Sequence, residues 1–300
     1  MELSQPLLLN GIALMRHIIN EVKQGKKFDM TKLAALADDI IKEITNPMLK
    51  GPYSPAISAD PNDYPMFHSL NVASYAALMS SKMGYKGEQI RDITLGAILH
   101  DIGKINTPDQ LRWKQEGVDE YENVTISEHP KFGAHWIGSL VTLADTVSRI
   151  ISEHHERFDG KGYPSGLSDP GMSQEAKIIS ICNTYDFLVT ALPEKPAVPP
   201  RDAMFHILKL SGKKFNPKIV QSFLNTLTPF LLDGPLYQLT SLVLLDTKEV
   251  AAVMKVDSWG DINPEIVVLT DSSQKKLARP LTIDLKKDSS RKIVKVLKTG

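Results

Sequence analysis

The sequence contains a single cysteine, Cys182, inside the mostly apolar run 178–182. One thiol cannot close an intramolecular disulfide, so a disulfide-stapled scaffold is excluded and the thiol is expected to serve as a small buried hydrophobe. There is no surplus of either charge: Lys plus Arg and Asp plus Glu both number 35. A protein that coats a nucleic-acid polymer needs a basic excess, so that class is set aside. A small anionic ligand stays open, because a local group of metal and lysine can hold phosphate in a neutral protein. No run reaches the ~18 apolar residues of a membrane-spanning helix. The start Met1-Glu2 lacks the basic region of a secretory signal. No internal repeat or low-complexity tract is present. These absences together point to a cytoplasmic protein with no membrane segment.

What is present is enough apolar material for a sizeable core, at 42% of 300 residues, in one large domain or two modest ones. Three textures follow one another. In 1–50, Leu8, Ile12, Met15, Ile18, Ile19 and Val22 recur at mostly helical steps, as do Leu33, Leu36, Ala37, Ile40, Ile41 and Ile44. Asp29 or Thr31 caps the second of these helices, and Asn46-Pro47 ends it. The stretch 51–65 holds four prolines and reads as an extended loop. From about 64 to 230 helical spacing continues, at 70–83, 90–99, 139–152, 176–191 and 203–210. The intervening loop 158–171 has four glycines and two prolines, a common composition for a binding surface between helices. After 235 the period changes, and 239–245, 250–256, 266–269 and 281–285 read as short antiparallel strands. The expected fold is mainly α. It has an N-terminal helical segment (1–50), a helical domain (51–232) and a small β-rich subdomain (233–300), the last expected to be a structural appendage or else a protein-contact surface.

The chain has eight histidines. His17, His135 and His206 stand alone and are expected to be structural. The others form a series: His68 at the opening of a helix, His100-Asp101 after the apolar run 95–99, His129 before Pro130, and His154-His155 after the apolar run 147–151. Neutral imidazole binds Fe, Mn, Ni or Zn, and a carboxylate can bridge two such ions. Two metals ~4 Å apart can hold a hydroxide and stabilise the attacking and leaving oxygens at phosphorus. Lys104, one turn after His100, is suited to neutralise a phosphate oxygen as charge develops on it.

These residues resemble a known family. The segment 99–104, Leu-His-Asp-Ile-Gly-Lys, is similar to the signature of the HD superfamily of metal-dependent phosphohydrolases. The segment 154–164, His-His-Glu-Arg-Phe-Asp-Gly-Lys-Gly-Tyr-Pro, is similar to the second signature that defines the HD-GYP subfamily. The resemblance implies an HD-domain helical bundle in a bacterial signalling protein. It implies hydrolysis of a cyclic dinucleotide, cyclic di-GMP or cyclic GMP-AMP, to a linear dinucleotide or mononucleotides by a hydroxide bridging two metals. It implies metal ligation by His68, His100, Asp101, His129, His154 and His155. The cofactors would be two divalent transition-metal ions, Fe or Mn. Asp101 and Lys104 would be catalytic, and Arg157, Gly162, Tyr163 and Pro164 would shape the substrate pocket. A homodimer or a signalling partner protein is a further expectation.

Three positions depart from the family pattern. Asn183 stands where a further aspartate ligand is expected, and its neutral amide would hold a metal more weakly. Asp186 matches a second aspartate nearly one turn on and is not expected to reach the metal. The stretch 191–200 carries four prolines and neither Arg nor Tyr, where the family often has Arg-x-Tyr; Lys195 and Arg201 are the nearby cations. Tyr64 occupies the position of a glutamate that holds a third ion in some members, which favours two metals. The alternative to an enzyme is an HD-GYP module with impaired catalysis that binds a cyclic dinucleotide or a partner.

Overall fold

A computed structural model describes residues 3–46, 63–108, 111–112, 119–192 and 195–298. Most of the loop expected at 51–65 lies outside them. Helix α1 (Gln5–Lys23) buries Ile12, Met15, Ile18 and Val22, and α2 (Met30–Ile44) buries Leu33, Leu36, Ala37, Ile40 and Ile44. Asp29 is the cap of α2: its side chain accepts from the Thr31 backbone N–H, one of the donors that a helix start leaves unpaired.

Helix α3 (Tyr64–Lys82) is the centre of the bundle, buried along nearly its whole length, and packs on α1, α2, α4 (Glu88–Leu99), α8 (Gln174–Val189) and α10 (Pro217–Leu231). A helix buried all round has no polar stripe to mark its face. Its small residues Ala73, Ser74, Ala76, Ala77 and Ser80 admit close neighbours, and Ser74 returns its hydroxyl to the Leu70 carbonyl. Pro65 sits in the first turn, where a missing N–H costs nothing.

The expected single helix over 139–152 is a correction. Helix α6 (His129–Leu140) ends at an extended Val141, and α7 (Asp145–Glu153) starts after an extended Ala144. Apolar residues continue across the break, at Leu140, Val141 and Leu143, so periodicity carries no signal of it. Before α6 lies α5 (Glu120–Ser127), opened by a capping box between Asp119 and Glu122. Helix α9 (Pro200–Lys209) precedes α10.

The C-terminal region is a five-stranded antiparallel sheet in the order β4-β3-β2-β1-β5. Its strands are β1 (Leu242–Leu245), β2 (Val250–Lys255), β3 (Glu265–Thr270), β4 (Lys276–Asp284) and β5 (Ile293–Lys298). Alternate residues Val243, Leu245, Ala251, Val253, Ile266 and Val268 point inward and join the hydrophobic cluster of the helices. Strand β5 was not expected, because lysines interrupt its apolar residues on an edge that tolerates charge.

Candidate metal centre

Helix ends build this site. His100 and His154 are the residues that close α4 and α7, and His129 opens α6 directly after α5. In each, Nδ1 lies against the carbonyl three residues earlier: Ala97 at 2.7 Å, Ile151 at 2.8 Å and Ile126 at 2.7 Å. A carbonyl only accepts, so Nδ1 carries the hydrogen and Nε2 keeps a lone pair. The last-turn carbonyls that a helix leaves unsatisfied thus set three tautomers at once. His68 is oriented differently. Its Nδ1 lies 2.6 Å from the fully buried carboxylate of Asp186, on α8, which turns its Nε2 toward the same space.

That space is occupied by the carboxylate of Asp101. Its Oδ1 is 3.2 Å from Nε2 of His129 and 3.6 Å from Nε2 of His154. Its Oδ2 is 3.5 Å from Nε2 of His100, 3.7 Å from Nε2 of His68 and 2.8 Å from Nζ of Lys104. One carboxylate is therefore divided between two imidazole sets. Two groups meet the spacing of a metal site, Asp101 with His129, His154 and His155, and Asp101 with His68 and His100. The donor set fits cations. Nε2 of His100 and Nε2 of His155 are buried with no hydrogen-bond partner, a costly state that a metal would relieve. The Asn183 amide oxygen faces Nε2 of His68 at 3.1 Å, placing two lone-pair atoms opposite each other where a cation can lie between them.

Close backbone approach fixes these relations. A Cβ on Gly103 would lie 2.0 Å from the His129 carbonyl oxygen, so glycine there lets α6 bring His129 against Asp101. Gly162 plays the same part for the loop after α7, where a Cβ would sit 2.5 Å from the His155 carbonyl oxygen. Tyr163 stacks on the His155 ring at 4.7 Å, and the Tyr163–Pro164 peptide is cis. The buried carboxylate of Glu156, which the sequence offered only as part of a motif, accepts from the backbone N–H of Ser165 at 2.7 Å and Leu167 at 2.8 Å, clamping this loop. Arg157 is held by both oxygens of Asp159. Gly162, Tyr163 and Pro164 thus lie beside the centre, and Arg157 stands on the same loop.

The two cations of 191–201 bond backbone carbonyls. Lys195 bonds the Thr190 carbonyl at 2.6 Å and lies over the Phe187 ring. Arg201 donates to the carbonyls of Pro235 and Leu236, tying α9 to the segment before the sheet. His17, His135 and His206 are exposed on the surface.

Burial dominates the charge state of the histidines. It pushes the imidazoles of His100 and His155 well below their ordinary range and that of His129 down to about 4. Burial opposes charge on Asp101 as well, but Lys104 first and His100 next override it, so the carboxyl is held well below the usual range. The result is three neutral imidazoles around an ionised carboxylate, the state a cation requires.

Two expected results follow from this geometry. In metal-free protein, the unfolded chain takes up protons on these histidines below about pH 6.5 while the folded chain does not. Stability is then fully present above that pH and falls as pH drops toward 4; for His129 the shift is worth about 3 kcal/mol. The melting temperature in chelator should fall between pH 7 and pH 5, and a flat profile would refute it. Separately, Asp186→Asn keeps a hydrogen-bond acceptor for His68 but removes its charge. Metal affinity should drop about tenfold or more with an unchanged far-UV spectrum, as read by metal titration.

Comparison with known proteins shows what the chain is similar to. The family described as HD domain matches residues 30–219, and a KOW domain associated with HD domain matches 242–299. A cyclic di-GMP phosphodiesterase response regulator of Xanthomonas campestris is 33% identical over 150 residues, covering 50% of this chain and 40% of that protein. A cyclic di-GMP phosphodiesterase of Pseudomonas aeruginosa is 24% identical over 271 residues, covering 89% of this chain and 63% of the relative. The chain therefore spans less than two thirds of either relative. The solved structure of an HDG"Y"P protein from Bdellovibrio bacteriovorus shares the fold, with a TM-score of 0.53 at 19% identity over 73% of this chain and 68% of that one.

Proposed function

The chain belongs to the HD domain family, and on that premise we propose that it is a metal-dependent phosphodiesterase of the HD-GYP type. It opens a cyclic dinucleotide, cyclic di-GMP or cyclic GMP-AMP, to a linear dinucleotide or mononucleotides. The observation that carries this reading is the Asp101 carboxylate shared between two sets of inward-facing imidazoles with Lys104 beside it.

His68, His100, Asp101, His129, His154 and His155 would hold two divalent ions, Fe or Mn. When bound, such a pair activates water and polarises a phosphodiester. The chain's own residues do the rest. The backbone carbonyls behind His100, His129 and His154 keep each Nε2 unprotonated and aimed inward. Asp186 does so for His68. The Lys104 ammonium, at the rim of the centre, meets a non-bridging phosphate oxygen as negative charge grows on it. The loop 162–164, braced by Glu156, closes one side against water and faces the substrate with Arg157. Among the described residues Asp101 is the one carboxylate in the candidate ligand groups, with Asp186 behind His68, so a centre loaded with two divalent ions beside Lys104 is cationic and draws a dianionic ligand. We place the protein in bacterial cyclic-dinucleotide signalling in the cytoplasm, with a second copy or a partner protein as its macromolecular contact. No described helix is long and apolar enough to cross a membrane.

Asn183 favours a second reading, a module that binds the dinucleotide without turnover, because a neutral amide replaces an expected charged ligand. Incubating Mn- or Fe-loaded protein with cyclic di-GMP and with cyclic GMP-AMP, and following products by chromatography, separates the two. Linear product is expected. Retained binding with no product under either metal would refute the enzyme and establish the binding module.

A further inference from the structure

We infer that helix α1, which precedes the segment matched by the HD domain family, forms the far wall of the substrate cleft, and that Arg16 and Lys23 on it hold the phosphodiester of the cyclic dinucleotide that is not being cleaved. This rests on the proposal that the ligand is a cyclic dinucleotide.

A cleft of about 370 Å³ opens at Asp101 and Lys104 and runs to α1. Arg16, Asn20 and Lys23 border it, at steps of four and three residues that put them on one stripe of the helix. The neighbouring stripe, Ile12, Met15, Ile18 and Val22, is buried in the core, so the polar stripe is fixed in direction by packing. Arg16 donates through Nη2 to Asp63, which stations its guanidinium at the cleft; the group has five N–H donors, so others remain for a ligand. Lys23 is exposed beside it. Arg112 also borders the cleft, where it donates to the carbonyls of Lys104 and Thr107 and braces the segment that carries Lys104.

The ligand's chemistry demands such a wall. A cyclic dinucleotide has two phosphodiesters on opposite sides of its ring. With one at Asp101 and Lys104, the other projects away from the metal centre and needs a separate cation. Among the described residues of 191–201, Lys195 and Arg201 are bonded to backbone carbonyls. Across the cleft, α1 provides two cations on one face. Among the described residues four cationic and two anionic side chains border the cleft, Arg16, Lys23, Lys104 and Arg112 against Asp63 and Asp101, an imbalance that matches a dianion. Ile19 and Met66 add apolar surface against which a base can lie.

The test compares the full-length protein with Arg16→Ala, Lys23→Ala and the double variant, all changes of exposed side chains. Two quantities are read: KM and kcat for cyclic di-GMP, and the calorimetric Kd of cyclic di-GMP under conditions without turnover. The double variant should raise both KM and Kd about tenfold, with the larger part of the loss in KM rather than kcat. Added salt should weaken wild-type binding more than that of the variant. If wild type turns over and KM and Kd stay within about twofold in the double variant, the α1 wall is wrong while the enzyme reading stands. If wild type binds without hydrolysis and the double variant still raises Kd tenfold, the wall stands and the enzyme reading falls. No binding of cyclic di-GMP by wild type overturns the wall.

Discussion

Asp101→Asn is expected to leave the protein folded, to empty it of metal, and to lower cyclic-dinucleotide hydrolysis by about a thousandfold or more. The substitution is nearly isosteric, and the apolar core around the site is untouched. What changes is what each end of the group presents to its neighbours. Oδ1 faces Nε2 of His129 and His154, and Oδ2 faces Nε2 of His68 and His100. All four face an acceptor now, which is tolerable only if a cation lies between. An amide puts an NH2 against one of these pairs, donates to an imidazole and closes that half of the centre. It also removes the carboxylate that belongs to both candidate groups, so neither half keeps its charge compensation. Metal content per chain by elemental analysis, the melting temperature and the rate should be measured together. A variant that retains full metal occupancy and more than about a tenth of the wild-type rate would show that Asp101 does not bridge the centre.

Lys104→Met should lower kcat about a hundredfold or more with little loss of metal. The ammonium is 2.8 Å from Asp101 and is mostly enclosed, where a charge acts more strongly than in water. Methionine preserves much of the side-chain volume but cannot neutralise a phosphate oxygen. It also removes the leading influence that holds the Asp101 carboxyl low. In metal-free protein the titration of the Asp101 carboxyl should therefore move to higher pH, a change that a lysine without this contact would not cause. Lys104→Arg should recover only part of the rate, because a planar fork does not reproduce the compact ammonium at that distance. An unchanged kcat in Lys104→Met would remove Lys104 from the mechanism.

Asn183 and Asp186 take their roles from tertiary structure and not from their motif positions. On α8 they are three residues apart, and the first was the expected ligand position. In the structure both converge on one ring: Asn183 on Nε2 of His68 and Asp186 on Nδ1. Asp186 thus meets the centre through Nδ1 of His68. Its role depends on a helix from a distant part of the chain, and no pattern within α8 announces it.

Local chemistry determined much by itself. The apolar steps of α1 and α2, the Asp29 cap, and the shift to strand period near the C-terminus are set by neighbours within a few residues, and they appear in the structure. The placing of His100 and His154 just after apolar helices was equally legible, and its consequence is local too, since each ring is fixed by the carbonyl three residues back. Where local signals were continuous, as across 141–144, the helix break could not be read. Tertiary structure alone decided what meets what. The partners His68 and Asp186 are 118 positions apart, and His129 and His154 are 25 apart. The division of Asp101 between two imidazole sets, the commitment of Arg201 to the Pro235 and Leu236 carbonyls, and the position of α1 along the cleft all depend on how helices pack around α3. Periodicity says which face of a helix is buried, but packing decides what that face is buried against. The metal centre is made of such encounters, with each ligand prepared by its own helix end and all of them joined only by the fold.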